Sequence, residues 1–165
     1  MSHPHAMMPP NASKRNEATS RRIVSMKLKY EEKIAAFQPC PSKTMPIEDE
    51  LIAYRFSQNP IESAENFLPI AVKDISRITG KNRGYCCSAY GLSMFTTIEK
   101  LEEKYQALRE FNPFIHESLG SFWVSVKIDP LSGSITPPDK YGHFNLHEAT
   151  DFSGPNVITG AGVIT

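Results

Sequence analysis

No run of apolar residues in this chain is long enough to cross a bilayer as a helix, so a membrane-spanning helix is not expected. A CxxC pair, an HExxH stretch, a GxSxG elbow and a GxxxxGK(S/T) loop are also missing. Those absences remove the common signatures of structural zinc, zinc peptidases, α/β-hydrolases and phosphate-loop nucleotide binding. The opening MSHPHAMMPP has no basic start followed by an apolar core, so a secretory signal is not expected either. Cysteines number three, Cys40, Cys86 and Cys87, and adjacent Cys86 and Cys87 are poor partners for each other. The expectation is buried, reduced thiols in a cytoplasmic protein.

Net charge is zero, but the charge is uneven. Residues 1–45 hold eight Lys or Arg against three acids, a local +5, so the remainder carries −5. A basic arm on an acidic body fits contact with a protein partner, a second copy, a nucleic acid or the body itself. No recognised nucleic-acid module accompanies it.

Residues 1–14 lack periodicity and are expected to be disordered. From Glu17 to Phe37, apolar Ile23, Met26, Tyr30, Ile34 and Phe37 recur at spacings of three and four, which predicts an amphipathic helix. Its apolar face is a candidate binding surface. Pro39 and Pro41 end it, and a linker follows to residue 46. Glu50 to Ser57 alternates as a strand. Asn59-Pro60 with Glu62 predicts a capped helix, broken near Leu68 by Pro69. A polar loop spans Thr79 to Gly84, and Tyr85 to Phe95 reads as extended, most firmly from Leu92. Thr96 and Glu99 form a capping box ahead of a stripe of Ile98, Leu101, Tyr105 and Leu108. Ser121 to Ile128 alternates most clearly of all, with Phe122, Val124, Val126 and Ile128 on one face and Trp123 on the other. Ile135-Thr136 and His143 to Glu148 add short strands. The ending VITGAGVIT is β-prone, as a terminal strand, a hairpin or a sticky tail.

These elements predict an α+β domain. Its sheet would be mixed and mostly antiparallel, with four to six strands and two or three helices on one side, plus the basic N-terminal helix. The expected divisions are a tail over 1–14, a helical arm and linker over 15–46, the domain over 47–152 and a Gly-containing tail over 153–165. Strands joined through helices could pair in parallel, while the later strands should be antiparallel.

Three sets of residues could carry function. His143, Asn145 and His147 share one face of their strand, and the two histidines could ligate a metal or act as a base. Trp123, opposite the core stripe, marks a binding surface if exposed. Arg55, Ser93 and Glu148 each sit on or beside a strand and could line one cleft. The pattern of YR, NP…ENFL, YGLSMF and a late GH resembles small bacterial proteins to which no activity is attached. It suggests a binding or accessory role through protein contacts, in a defence or toxin-antitoxin setting, with no cofactor. The order Arg, Ser, Glu, carried by Tyr54-Arg55 and the GLSMF of residues 91–95, also resembles ADP-ribosyltransferase-like proteins, including RES-type toxins that consume NAD. That resemblance implies that Arg55 grips a phosphate of NAD, Ser93 positions the nicotinamide ribose and Glu148 stabilises charge as nicotinamide leaves. Such a site needs Arg55, Ser93 and an acid in one concave pocket, and Arg55 and Ser93 on opposite sheet faces would rule it out. The family's Ser-Thr-Ser run and Gly-Gly-Arg-Trp stretch are not present, and no Glu-x-Glu pair follows Ser93.

Overall fold

The computed structural model describes residues 26–165. Seven strands form one sheet: β1 (Met45–Pro46), β2 (Leu51–Ser57), β3 (Leu92–Phe95), β4 (Phe122–Ile128), β5 (Gly133–Ile135), β6 (His143–Glu148) and β7 (Ile158–Val163). Their order across the sheet is β1-β5-β6-β3-β2-β4-β7, and every neighbouring pair is antiparallel. Among the described residues, five short-to-medium α-helices accompany it: α1 (Glu31–Ile34), α2 (Ile70–Lys73), α3 (Arg83–Ala89), α4 (Ile98–Phe111) and α5 (His116–Leu119). The mixed helix and strand content matches the sequence reading. The strand number is higher, and no parallel pair forms. β3 and β4 do run in the same direction, but β2 lies between them and pairs antiparallel with both.

The alternation in β4 and β6 settles the sheet's register. Val124, Val126 and Ile128 are completely buried, as are Leu92 and Met94 of β3 and Leu146 of β6. Together with Ala53, Phe144 and Phe67 they make the main core. On the other face, Phe95 packs with Leu101 and Tyr105 of α4, and with Tyr54, Phe56 and Trp123. The stripe on α4 is thus a core stripe, and truncating Leu101 to Ala should cost about 2–5 kcal/mol. Thr97, not Thr96, caps this helix by accepting from Lys100 N, a shift of one residue from the sequence expectation.

Four other local expectations need correction. The predicted helix over 17–37 falls partly outside the described residues, Ile23 among them. Within the described part, helix is confined to α1 and a 3-10 turn at Ala35–Phe37. Before it the chain lies along the end of β6: Leu28 bridges Ala149, and Lys29 N donates to Glu148 O at 2.8 Å. Backbone pairing to the body outweighs the helical spacing here. Second, no helix starts at Pro60. Asn66 instead organises residues 58–61, its Nδ2 donating to the carbonyls of Gln58, Pro60 and Ile61 while its Oδ1 accepts from Gln58 N. The break at Leu68 is present, between a 3-10 turn and α2. Third, Arg83–Ala89 is helical rather than extended, because Asn82 caps it through Tyr85 N at 2.8 Å. Fourth, Cys40 and Cys87 are joined in a disulfide, which overturns the expectation of three thiols. Neighbouring side chains on a helix diverge, so only one of the adjacent pair meets Cys40. Cys86 remains a buried free thiol, directed at the carbonyls of Ile78 and Lys81.

Tyr30, Ile34 and Phe37 pack with Tyr90, Cys86 and Ala71 in a satellite core, so the described part of the arm docks on its own body. Trp123 is half-buried, its indole lying across Gly162 of the neighbouring β7 so closely that a Cβ there would lie 2.8 Å away. The C-terminal VIT repeat therefore supplies an edge strand.

Candidate functional site

The cleft opens where β2 and β3 part. Tyr54 and Phe95 form the one registered pair between these strands. Beyond it the chains diverge, and a cavity of about 650 Å³ lies between them. That is a size suited to a small-molecule ligand. Gly91 helps set the near wall: a Cβ there would meet Asn145 Cβ at 2.9 Å, so glycine lets the approach to β3 lie close against β6.

Arg55 and Ser93 both line this cleft. By strand alternation their Cβ atoms leave from opposite faces, since Tyr54 opposite Phe95 gives Arg55 the parity of Met94. On a flat sheet that would separate them. At the split it does not, and Arg55 Nη1 donates to the Ser93 carbonyl at 2.9 Å. Glu148 does not join them. It is 2% exposed, on the main-core side of β6, and holds Lys29 Nζ at 2.8 Å. The acid that the family resemblance assigns to charge stabilisation is thus absent from the cleft lining.

His143 takes the place beside Ser93. Ser93 Oγ and His143 Nε2 are 2.7 Å apart. The imidazole lies against Phe95, with ring centroids 5.4 Å apart. Its Nδ1 is 4.0 Å from Asp139 Oδ2. Asp139 Oδ1 accepts from the backbone N–H groups of Tyr141 (2.8 Å) and His143 (3.0 Å), folding the DKYGH turn back onto its own histidine. Burial lowers the His143 pKa below its usual 6.5, with Asp139 pulling it up and Lys104 pushing it down. The ring is therefore neutral at pH 7. Asn145, one pleat along, lines the same cleft.

His147 completes the alternation but not a metal pair. It is 3% exposed, and burial drops its pKa to about 4. Among the described residues no group of three His, Cys, Asp or Glu is placed to hold a metal ion.

Electrostatics favour an anion. Four cationic side chains line the cleft, Arg55, Lys73, Arg77 and Lys104, against Asp74 and Asp139. Asp74 is already engaged by Ser76, whose N–H and hydroxyl donate to it at 3.0 and 2.6 Å. By exposed area Arg55 is half-buried, but its guanidinium lies deep. Desolvation lowers its pKa to about 10, which still leaves it charged at neutral pH. Its Cζ sits 5.7 Å from the Phe67 ring centroid, and its buried Nε has no hydrogen-bond partner among the described residues. Phe56, Tyr85, Phe95 and Tyr141 supply aromatic surface.

Sequence reasoning named Arg55, Ser93 and His143 but placed them in two separate sets. It missed Asp139, Tyr141 and Lys104. The spacing of Asp139 and His143 across a glycine-containing turn was the available signal for the first. Comparison with known protein families, curated proteins and solved structures finds no match to this chain.

Proposed function

We propose that this protein binds an anionic nucleotide of the NAD class in the β2–β3 cleft and cleaves its nicotinamide N-glycosidic bond, as an ADP-ribosyltransferase-like enzyme. One observation carries the reading. Arg55 and Ser93, 38 positions apart, meet across the gap between parted strands, with a histidine on the serine hydroxyl. A planar guanidinium lining the cleft suits a phosphate oxygen. The surplus of cations matches a diphosphate, and the aromatic walls match its bases. Ser93 has the position to bond a ribose hydroxyl. Beyond the family motifs that the chain lacks, the reading differs in that His143 rather than Glu148 stands beside Ser93.

A role through protein contacts has less to draw on. Tyr30, Ile34, Phe37 and Trp123 are occupied within the chain, so a protein partner or second copy would have to use other surfaces. The Cys40–Cys87 disulfide supports an oxidising setting in place of the cytoplasm.

The test is incubation of the full chain with NAD and chromatographic detection of free nicotinamide. The wild type should release it, and Arg55→Gln should lower the rate by about 10²-fold or more, the usual cost of removing a charge-stabilising donor. No release, together with no NAD binding by calorimetry, rejects the proposal.

A further inference from the structure

We infer that Ser93 and His143, with the ring oriented by the charge of Asp139, form a proton relay that activates water as the acceptor for the glycosyl group, making the site a hydrolase as well as a binding cleft. This inference rests on the NAD reading above and specifies how that site completes its reaction. The geometry supplies the serine–histidine contact directly, and Asp139 acts on the ring by charge from beyond hydrogen-bond distance. Ser93 Oγ lies 2.7 Å from His143 Nε2. Asp139 Oδ2 lies 4.0 Å from the other ring nitrogen, and its own turn fixes it there through two backbone N–H groups. A carboxylate on that side favours the tautomer with the proton on Nδ1, which leaves Nε2 free to accept. All three residues line the cleft. Glu148 cannot serve, being buried beneath Lys29.

In the step, a water donates a proton to Ser93 Oγ as the serine proton passes to His143 Nε2. The water oxygen forms its bond to C1′ of the nicotinamide ribose. The C1′–N bond breaks, and its electron pair leaves with neutral nicotinamide. The products are ADP-ribose, nicotinamide and one proton, held first on His143 and then released to solvent.

The groups facing His143 are Ser93 and Phe95 from β3, Asp139 from its own turn and Lys104 from α4. The relay needs neutral His143, so the rate should rise with pH along an acid limb below pH 6.5. Asp139→Asn removes a charge that raises the His143 pKa, so it should move that limb to lower pH. Lys104→Gln removes a charge that lowers it and should move the limb to higher pH. A merely structural role for either residue would not shift the limb in opposite directions.

Nicotinamide release is measured against pH for the wild type, His143→Gln, Ser93→Ala, Asp139→Asn and Lys104→Gln, with circular dichroism to confirm folding. The expected result is about a 10²-fold loss for His143→Gln and Ser93→Ala, the usual scale for general-base catalysis, and the two opposed shifts. Release that continues unchanged in folded His143→Gln, or limbs that stay fixed in both charge variants, overturns the relay while leaving NAD cleavage intact. No release from the wild type overturns both.

Discussion

Two charged side chains are buried in the sheet region, and they are treated differently. Glu148, at the seam where the N-terminal arm crosses β6, has a lysine at 2.8 Å, and that same Lys29 Nζ also donates to Phe152 O at 2.7 Å. Arg55, in the cleft lining with its guanidinium deep, has one backbone carbonyl and a phenyl ring. Each keeps one buried atom without a partner among the described residues, Glu148 Oε2 and Arg55 Nε. The seam is closed by the chain itself, and removing its cation strands a carboxylate. The cleft is open, and its cation is balanced by no carboxylate at contact distance. The seam thus has the character of a folding contact and the cleft that of the proposed ligand site, though the two charges feel each other: Glu148 raises the Arg55 pKa and Arg55 lowers that of Glu148.

The largest effect should come from the seam's covalent tie. Cys40 and Cys87 are 47 residues apart, and closing a loop of that length stabilises by about 4 kcal/mol on the chain-entropy account. Cys40→Ser should lower the urea midpoint accordingly, and a midpoint equal to wild type would show that the seam holds without its cross-link. Next comes pH. The buried His147 titrates near 4 in the folded state against 6.5 unfolded, so its contribution is present above pH 6.5. As pH falls from 6.5 to 4 the unfolded chain takes up the proton first, and about 3 kcal/mol is lost. The raised pKa of Glu148 works in the opposite direction. The comparison is therefore wild type against His147→Gln, whose unfolding free energies should converge as the pH is lowered.

Lys29→Met should cost about 2 kcal/mol, discounted because the lysine is 28% exposed. Adding Glu148→Gln should recover most of it, and simple additivity in that double-mutant cycle would mean the pair is not coupled. The smallest change should follow Arg55→Met. An apolar stem can replace a poorly paired buried charge at a cost below about 1 kcal/mol, so stability should hold while NAD binding disappears. A large loss of stability would move Arg55 to the seam's category and erase the distinction between the two regions.

Much of this was legible in the sequence, for reasons that differ by element. β4 and β6 were readable because both bury one face, which imposes strict alternation. α4 was readable from its stripe, with its cap misplaced by one residue. The arm misled because Tyr30, Ile34 and Phe37 are spaced helically yet pack on Tyr90 from a single turn and a 3-10 segment. α3 misled because YCCSAY has β-prone residues, while a single Asn82 cap decides the conformation. For the site, the residue types were visible but their grouping was not. Whether Arg55 meets Ser93 depends on where two strands part, and nothing local encodes that. Glu148 and His143 sit five residues apart on one strand, and a period of two sends them to opposite sides.

The chain holds one tryptophan. Trp123 rests on the backbone of Gly162, with Tyr54 beside it at 6.1 Å between ring centroids. Its emission is consequently a built-in optical gauge for the last strand. Peeling β7 from the sheet should further wet the half-buried indole and red-shift its fluorescence. Loosening of the C-terminal edge can thus be followed separately from global unfolding, without attaching a label.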